Sequence, residues 1–205
     1  MLDYLSQHVQ ILNTLLNTAM VLIWIAYLHT FIVGHRRQAR SVIHIDLGAA
    51  EGARSRCLVT NLSSNAIYVQ GVAADLGRDG QTSRIVITER DEIDPDGVDD
   101  PMSRTNRGTL QPGQTVDIGS MNDLIQRARI RLDEEWSFKD IETMTITVVG
   151  ISGQAERIVG AAKEFRIEHE QRGAFFAAKN ILTSQIRPRQ TRAEFNNLLR
   201  ERKFQ

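Results

Sequence analysis

The sequence predicts a single transmembrane α-helix, then an all-β antiparallel sandwich with one short helical insert, then a helical C-terminal tail. Three observations carry this. Residues 4–35 contain no Asp, Glu, Lys or Arg. Residues 41–168 break into short alternating apolar–polar runs divided by turns rich in Gly, Pro and Asn. After Glu170 the apolar residues recur at helical spacing. The expected organisation is a short non-cytoplasmic N-terminus (1–8), the membrane helix (9–33), a basic juxtamembrane segment (34–40), the sandwich (41–168) and a basic helical tail (169–205).

The helix reads VQILNTLLNTAMVLIWIAYLHTFIV, and from Ala19 to Leu28 only the Tyr27 hydroxyl interrupts the apolar run. Twenty-five helical residues extend about 38 Å, enough to cross a hydrocarbon layer of about 30 Å with some tilt. A core helix of a soluble protein rarely runs this far with no charge on any face. A cleaved signal peptide fits poorly, because Met1–Tyr4 hold no Lys or Arg and no small-x-small site follows the apolar run. The helix is therefore expected to be a permanent anchor.

The flanks set its direction. Asp3 precedes the helix, and Arg36, Arg37 and Arg40 follow it with no acid before Asp46. The positive-inside rule then places the C-terminal domain in the cytoplasm, with the anchor in the inner membrane. Gln10, Asn13 and Asn17 share one face of the helix, with Thr14 and Thr18 beside them. Amides in hydrocarbon need hydrogen-bond partners, which a facing transmembrane helix supplies. The other reading of these residues is solvation in the outer headgroup region.

Composition bounds the rest. The chain has 205 residues and no formal net charge, but the charge is unevenly distributed. Residues 41–167 hold 14 Lys and Arg against 20 Asp and Glu, whereas residues 168–205 hold 8 against 4. An acidic body between basic segments argues against nucleic acid as partner and leaves the basic segments free to meet membrane lipid. The one cysteine, Cys57, cannot form an intrachain disulfide, which suits a reducing compartment, and within an apolar strand it reads as a buried small residue.

Within the body, Val42–Leu47 alternates as a half-buried strand. Arg56–Leu62 and Ile67–Ala73 follow, the latter with a bulge expected at Gly71. Gly77–Gly80 turns the chain into Arg84–Glu89. A polar loop covers 90–108, and Leu110–Gln114 places Pro112 and Gly113 as a type II turn requires. Thr115–Ile118 is a short strand. Met121–Leu132 is the helical insert, N-capped by Ser120, with Leu124, Ile125 and Ala128 on its apolar face. Strands over Ile141–Val149 and Gly160–Glu168 complete the set.

About seven short strands with turns between them fit an antiparallel sandwich. On Val59-Thr60-Asn61-Leu62-Ser63 and the Leu110-Gln111-Pro112-Gly113-Gln114 turn, the body resembles immunoglobulin-like domains of the bacterial kind. The resemblance lacks the paired cysteines and core tryptophan of antibody domains. It implies a fold and no activity.

In the tail, Ala174, Phe175, Ala178, Ile181 and Leu182 make an apolar helical face. Beyond Pro188, Thr191–Glu194 is a capping box opening a second helix, with Phe195, Leu198 and Leu199 on one side and Arg192 and Arg200 among its basic residues. Three readings of this segment stand: a helix on the cytoplasmic leaflet, a helix docked on a protein surface, or disorder.

Chemistry is sparse. Glu92, Asp94, Asp96 and Asp100 take positions 1, 3, 5 and 9 of a calcium loop aligned on Gly97, but Ser103 stands where a bidentate Glu is needed, and Pro95 and Pro101 interrupt. A solvated acidic turn accounts for it as well. The five histidines are scattered without ligand spacing, and neither a nucleophile elbow nor a phosphate loop is present. The expectation is a non-enzymatic, single-pass accessory or scaffold protein, without catalytic, cofactor or metal residues. Its partners are membrane lipid and another membrane protein. Gln10, Asn13 and Asn17 form the helix contact, and Arg36, Arg37, Arg40, Arg192 and Arg200 form the headgroup or partner contact. The alternative is a membrane-tethered sensor whose acidic loop (91–100) responds to a divalent cation.

Overall fold

The computed structural model describes residues 2–38, 41–48, 50–90, 93, 100–131, 138–152, 157–170 and 173–186. Two compact units result, Met1–Arg40 and Ser41–Gln205. The first is one helix, α1 (Leu2–Gln38). Among the described residues it holds the one stretch long and apolar enough to cross a membrane, His8–His35. Large apolar side chains such as Leu15, Leu22, Ile23 and Trp24 are all more than half exposed. In water that surface would be strongly unfavourable; in lipid it is matched to its solvent.

The second unit is built from β1 (Ile43–Gly48), β2 (Arg56–Asn61), β3 (Ile67–Arg78), β4 (Gln81–Val86), β5 (Gly108–Leu110), β6 (Thr115–Ser120), β7 (Thr143–Ser152), β8 (Arg157–Glu170), β9 (Gly173–Ala178) and β10 (Ser184–Gln185), with helix α2 (Met121–Arg131) between β6 and β7. One sheet runs β1-β2-β6. The other runs β10-β8-β7-β3-β4, with β5 also on β3 and β9 also on β8. All pairings are antiparallel.

Both sheets feed one core. Ile43, Ile45, Cys57, Val59 and Ile118 come from the first; Leu76, Met144, Ile146, Val148 and Phe165 come from the second. The two-residue side-chain period explains each strand's share. β3 shows it best, because its inward residues are Ile67 and Val69, then Val72, Ala74 and Leu76. The change of parity falls where the register with β7 shifts, between Val69 and Gly71. The bulge anticipated at Gly71 is therefore what keeps both halves of a 12-residue strand facing the core.

Turn chemistry fixes the remaining register. β3 and β4 join through Asp79 and Gly80, with φ of 48° and 75°, the double left-handed geometry of a type I′ hairpin. At the 110–114 turn Gly113 has φ 74°, and the Gln114 amide donates to Gln111 O at 3.0 Å. Helix α2 starts on a reciprocal cap: the Asp123 amide donates to Ser120 Oγ at 3.1 Å and the Ser120 amide to Asp123 Oδ2 at 3.0 Å. Its Met121, Leu124, Ile125 and Ala128 are buried.

The expected helix after Glu170 is corrected. Residues 173–178 form β9, paired with β8 from Phe165↔Ala178 to Glu170↔Gly173. Ala174 and Phe176 pack on the core while Phe175 faces out. Alanine-rich composition favours helix, but the free edge of the long β8 offers a ladder that overrides so weak a preference. Ile181 and Leu182, expected on the same helical face, are 88% and 79% exposed. The remainder of the expected tail, from residue 187, lies outside the described residues.

Candidate functional site

Two features of the anchor and two of the β unit bear on function. On α1, Gln10, Asn13 and Asn17 fall within an arc of about 60° at 100° per residue, and all are exposed. Their neighbours behave differently. Thr14 Oγ1 donates to Gln10 O at 2.9 Å, and Thr18 Oγ1 donates to Thr14 O at 2.8 Å. These hydroxyls are satisfied inside the helix. The three amides make no such bond among the described residues, so each presents two donors and an acceptor outward. An open groove runs beside this face along Gln10, Thr14 and Thr18, floored by Leu15 and Leu22.

Toward the other end of the span the character changes. Trp24 and Tyr27 meet edge to face with ring centroids 6.1 Å apart, and Phe31 stacks on His35 at 6.3 Å. A second groove is lined by Tyr27, Phe31, Gly34 and His35, open because nothing lies within 4 Å of where a Gly34 Cβ would project. Trp24 and Tyr27 thus lie within the apolar run, and Phe31 and His35 toward its C-terminal end. Arg36 and Arg37 occupy the last turns of α1. Arg40, Arg192 and Arg200 lie outside the described residues.

In the β unit, the two motifs singled out in the sequence meet. The Asn61 side chain is fully buried. Its Nδ2 donates to Leu110 O at 2.8 Å and Asn65 O at 2.9 Å, and its Oδ1 accepts from the Ser63 amide at 2.9 Å. Its main chain joins the turn as well, the Asn61 amide donating to Gln114 O and the Gly113 amide to Asn61 O. The Val59–Ser63 segment and the Leu110–Gln114 turn are thus one hydrogen-bonded knot.

The second feature was not anticipated. Lys163 sits at an inward position of β8 and its side chain is 3% exposed. Nζ reaches Asp46 Oδ1 on β1 at 3.0 Å and Ile181 O at 3.4 Å. Burial alone would raise the Asp46 carboxyl, but the bond from Lys163, the Leu47 amide and the charges of Lys163 and His44 outweigh it and hold Asp46 below its ordinary value. The alternation Ala161, Lys163, Phe165, Ile167 contained the signal, since a lysine in inward phase needs a partner. Cys57 is buried, as expected. Burial, with the Asp117 charge as a lesser cause, pushes its thiol up to about 12.

The acidic loop falls mostly on residues outside the described set. Of its proposed ligands Asp100 is described, and its Oδ1 accepts from the Met102 amide at 2.9 Å, capping a short 3-10 turn. Among the described residues no group of three or more His, Cys, Asp or Glu is placed to hold a metal ion. Comparison of the chain with protein-family models and with curated proteins finds no match.

Proposed function

We propose that this chain is a non-enzymatic, single-pass accessory or scaffold protein of the inner membrane that presents an immunoglobulin-like domain in the cytoplasm and pairs, through α1, with a helix of a larger membrane complex. The observation that carries the reading is the face of Gln10, Asn13 and Asn17. Their amides project from an apolar helix with their hydrogen-bonding capacity unused, whereas the adjacent threonines satisfy themselves. In lipid each such group is stabilised by about 1 kcal/mol when a facing helix bonds it. The immunoglobulin-like reading is supported by strand order: β1-β2-β6 shares a core with β8-β7-β3-β4, in the order A-B-E and G-F-C-C′ of that fold. The cytoplasmic side is supported by Arg36, Arg37 and Arg40 against Asp3.

The test is purification of the tagged full chain in mild detergent, alone and with Gln10→Leu, Asn13→Leu and Asn17→Leu combined. The native chain is expected to bring down a membrane protein in fixed stoichiometry. The triple variant, still more apolar and still inserted, is expected to lose it. A monomeric native chain, or undiminished recovery with the variant, overturns the reading.

A further inference from the structure

The amide face of α1 is the first part of a longer seam. Gln10, Asn13 and Asn17 are spaced three and then four apart, and the same alternation continues through Met20, Trp24, Tyr27 and Phe31 to Gly34. This is the a/d repeat of a left-handed helix pair, with Gln10, Asn17, Trp24 and Phe31 in one position and Asn13, Met20, Tyr27 and Gly34 in the other. A straight helix drifts about 20° per heptad from such a repeat, so a seam this long stays in contact only with a helix wound around it. The large side chains of the seam stand ready for that contact: Met20, Trp24, Tyr27 and Phe31 are each more than half exposed.

The chemistry along the seam fits an identical helix. Copies of one single-pass chain insert in the same direction, so their anchors run parallel and each residue meets its own counterpart at the same depth. A charged residue on the seam would repel its copy. A carboxamide, which both donates and accepts, bonds its copy directly, and an Asn at an a position fixes register and partner number in parallel coiled coils. The polar residues at the start of the seam, Gln10, Asn13 and Asn17, are all carboxamides. At the other end nothing lies within 4 Å of where a Gly34 Cβ would project, and Tyr27 and Phe31 line the groove beside it. A facing copy brings its own Phe31 ring to that depth, a knob for the hole that Gly34 leaves.

We propose that α1 pairs in parallel with the α1 of a second copy along this seam, so that the chain enters its membrane assembly as a dimer. The inference names the helix that meets the anchor, and it rests on the reading that the amide face is embedded in lipid and paired.

The test is disulfide trapping of the full chain in membranes under a mild oxidant. Met20→Cys and Tyr27→Cys, both on the seam, are expected to give a covalent dimer. Leu22→Cys, about 160° around the helix from Met20, is expected to give far less. The native chain, whose one cysteine is buried, is expected to give none. Adding Asn17→Leu to Met20→Cys should lower the trapped dimer about five-fold. Equal trapping at Met20 and Leu22, or trapping unchanged by Asn17→Leu, overturns the inference. No trapping at either seam position, while a membrane partner still co-purifies in an amide-dependent way, overturns the inference alone and assigns the face to a different chain. No trapping and no partner overturns both readings.

Discussion

Asn61 shows how one residue can join two distant stretches of sequence. It is buried, and its amide bonds to three main-chain groups across two loops. Asn61→Ala would leave the Leu110 carbonyl and the Ser63 amide without that partner in the interior. We expect a loss of about 2–3 kcal/mol in urea unfolding, with the Leu110–Gln114 turn the first region to gain hydrogen exchange. Lys163 makes a pH-dependent counterpart. Asp46 titrates below its ordinary value of 3.8 in the folded state, so the stability it contributes is complete above that pH and is lost as pH falls through the lower folded value. Asp46→Asn should cost about 1–2 kcal/mol at neutral pH, limited because Asp46 is half exposed. The gap to the native protein should be constant near neutrality and close below pH 3.8; a gap that widens in acid would refute the assignment. Asn61 was legible in the sequence as part of a motif. Lys163 was visible only as a lysine in the wrong phase, because its partner lies 117 positions away.

At the scale of elements, local chemistry was decisive wherever it was strong. The Ser120 cap and the Gly71 bulge each follow from one or two residues and stand where those residues put them, whereas the turn expected over Gly77–Gly80 tightens to Asp79-Gly80, so that β3 runs on to Arg78 and β4 covers Gln81–Val86 in place of the expected Arg84–Glu89. β9 and β10 were misread for a physical reason: their ladders are provided by β8, and neither alanine-rich nor two-residue strands announce themselves without that neighbour. β10 also protects an edge. β1 pairs on one side with β2, and its other side is met by the side chains of Thr183 and Gln185. Combining Thr183→Val with Gln185→Ala should destabilise the unit by about 1–3 kcal/mol and expose β1 to intermolecular pairing. The specific readout is faster exchange of the Ile43 and Ile45 amides. Unchanged protection there would show that β1 needs no such cover.

For the molecule as a whole, the division into an apolar helix and a β unit was the most legible feature, since an uncharged run of residues 4–35 admits few environments. The identity of the partner proposed for the anchor was not legible, because an amide face states a capacity for hydrogen bonds and not what meets it. The central claim is that α1 is retained and embedded in lipid. It is tested most directly by alkaline carbonate extraction of membranes from cells expressing the full chain, followed by intact mass measurement. The account predicts that the chain stays in the membrane pellet at its full 23.1 kDa. Release into the supernatant, or a mass short by the N-terminal helix, would contradict it.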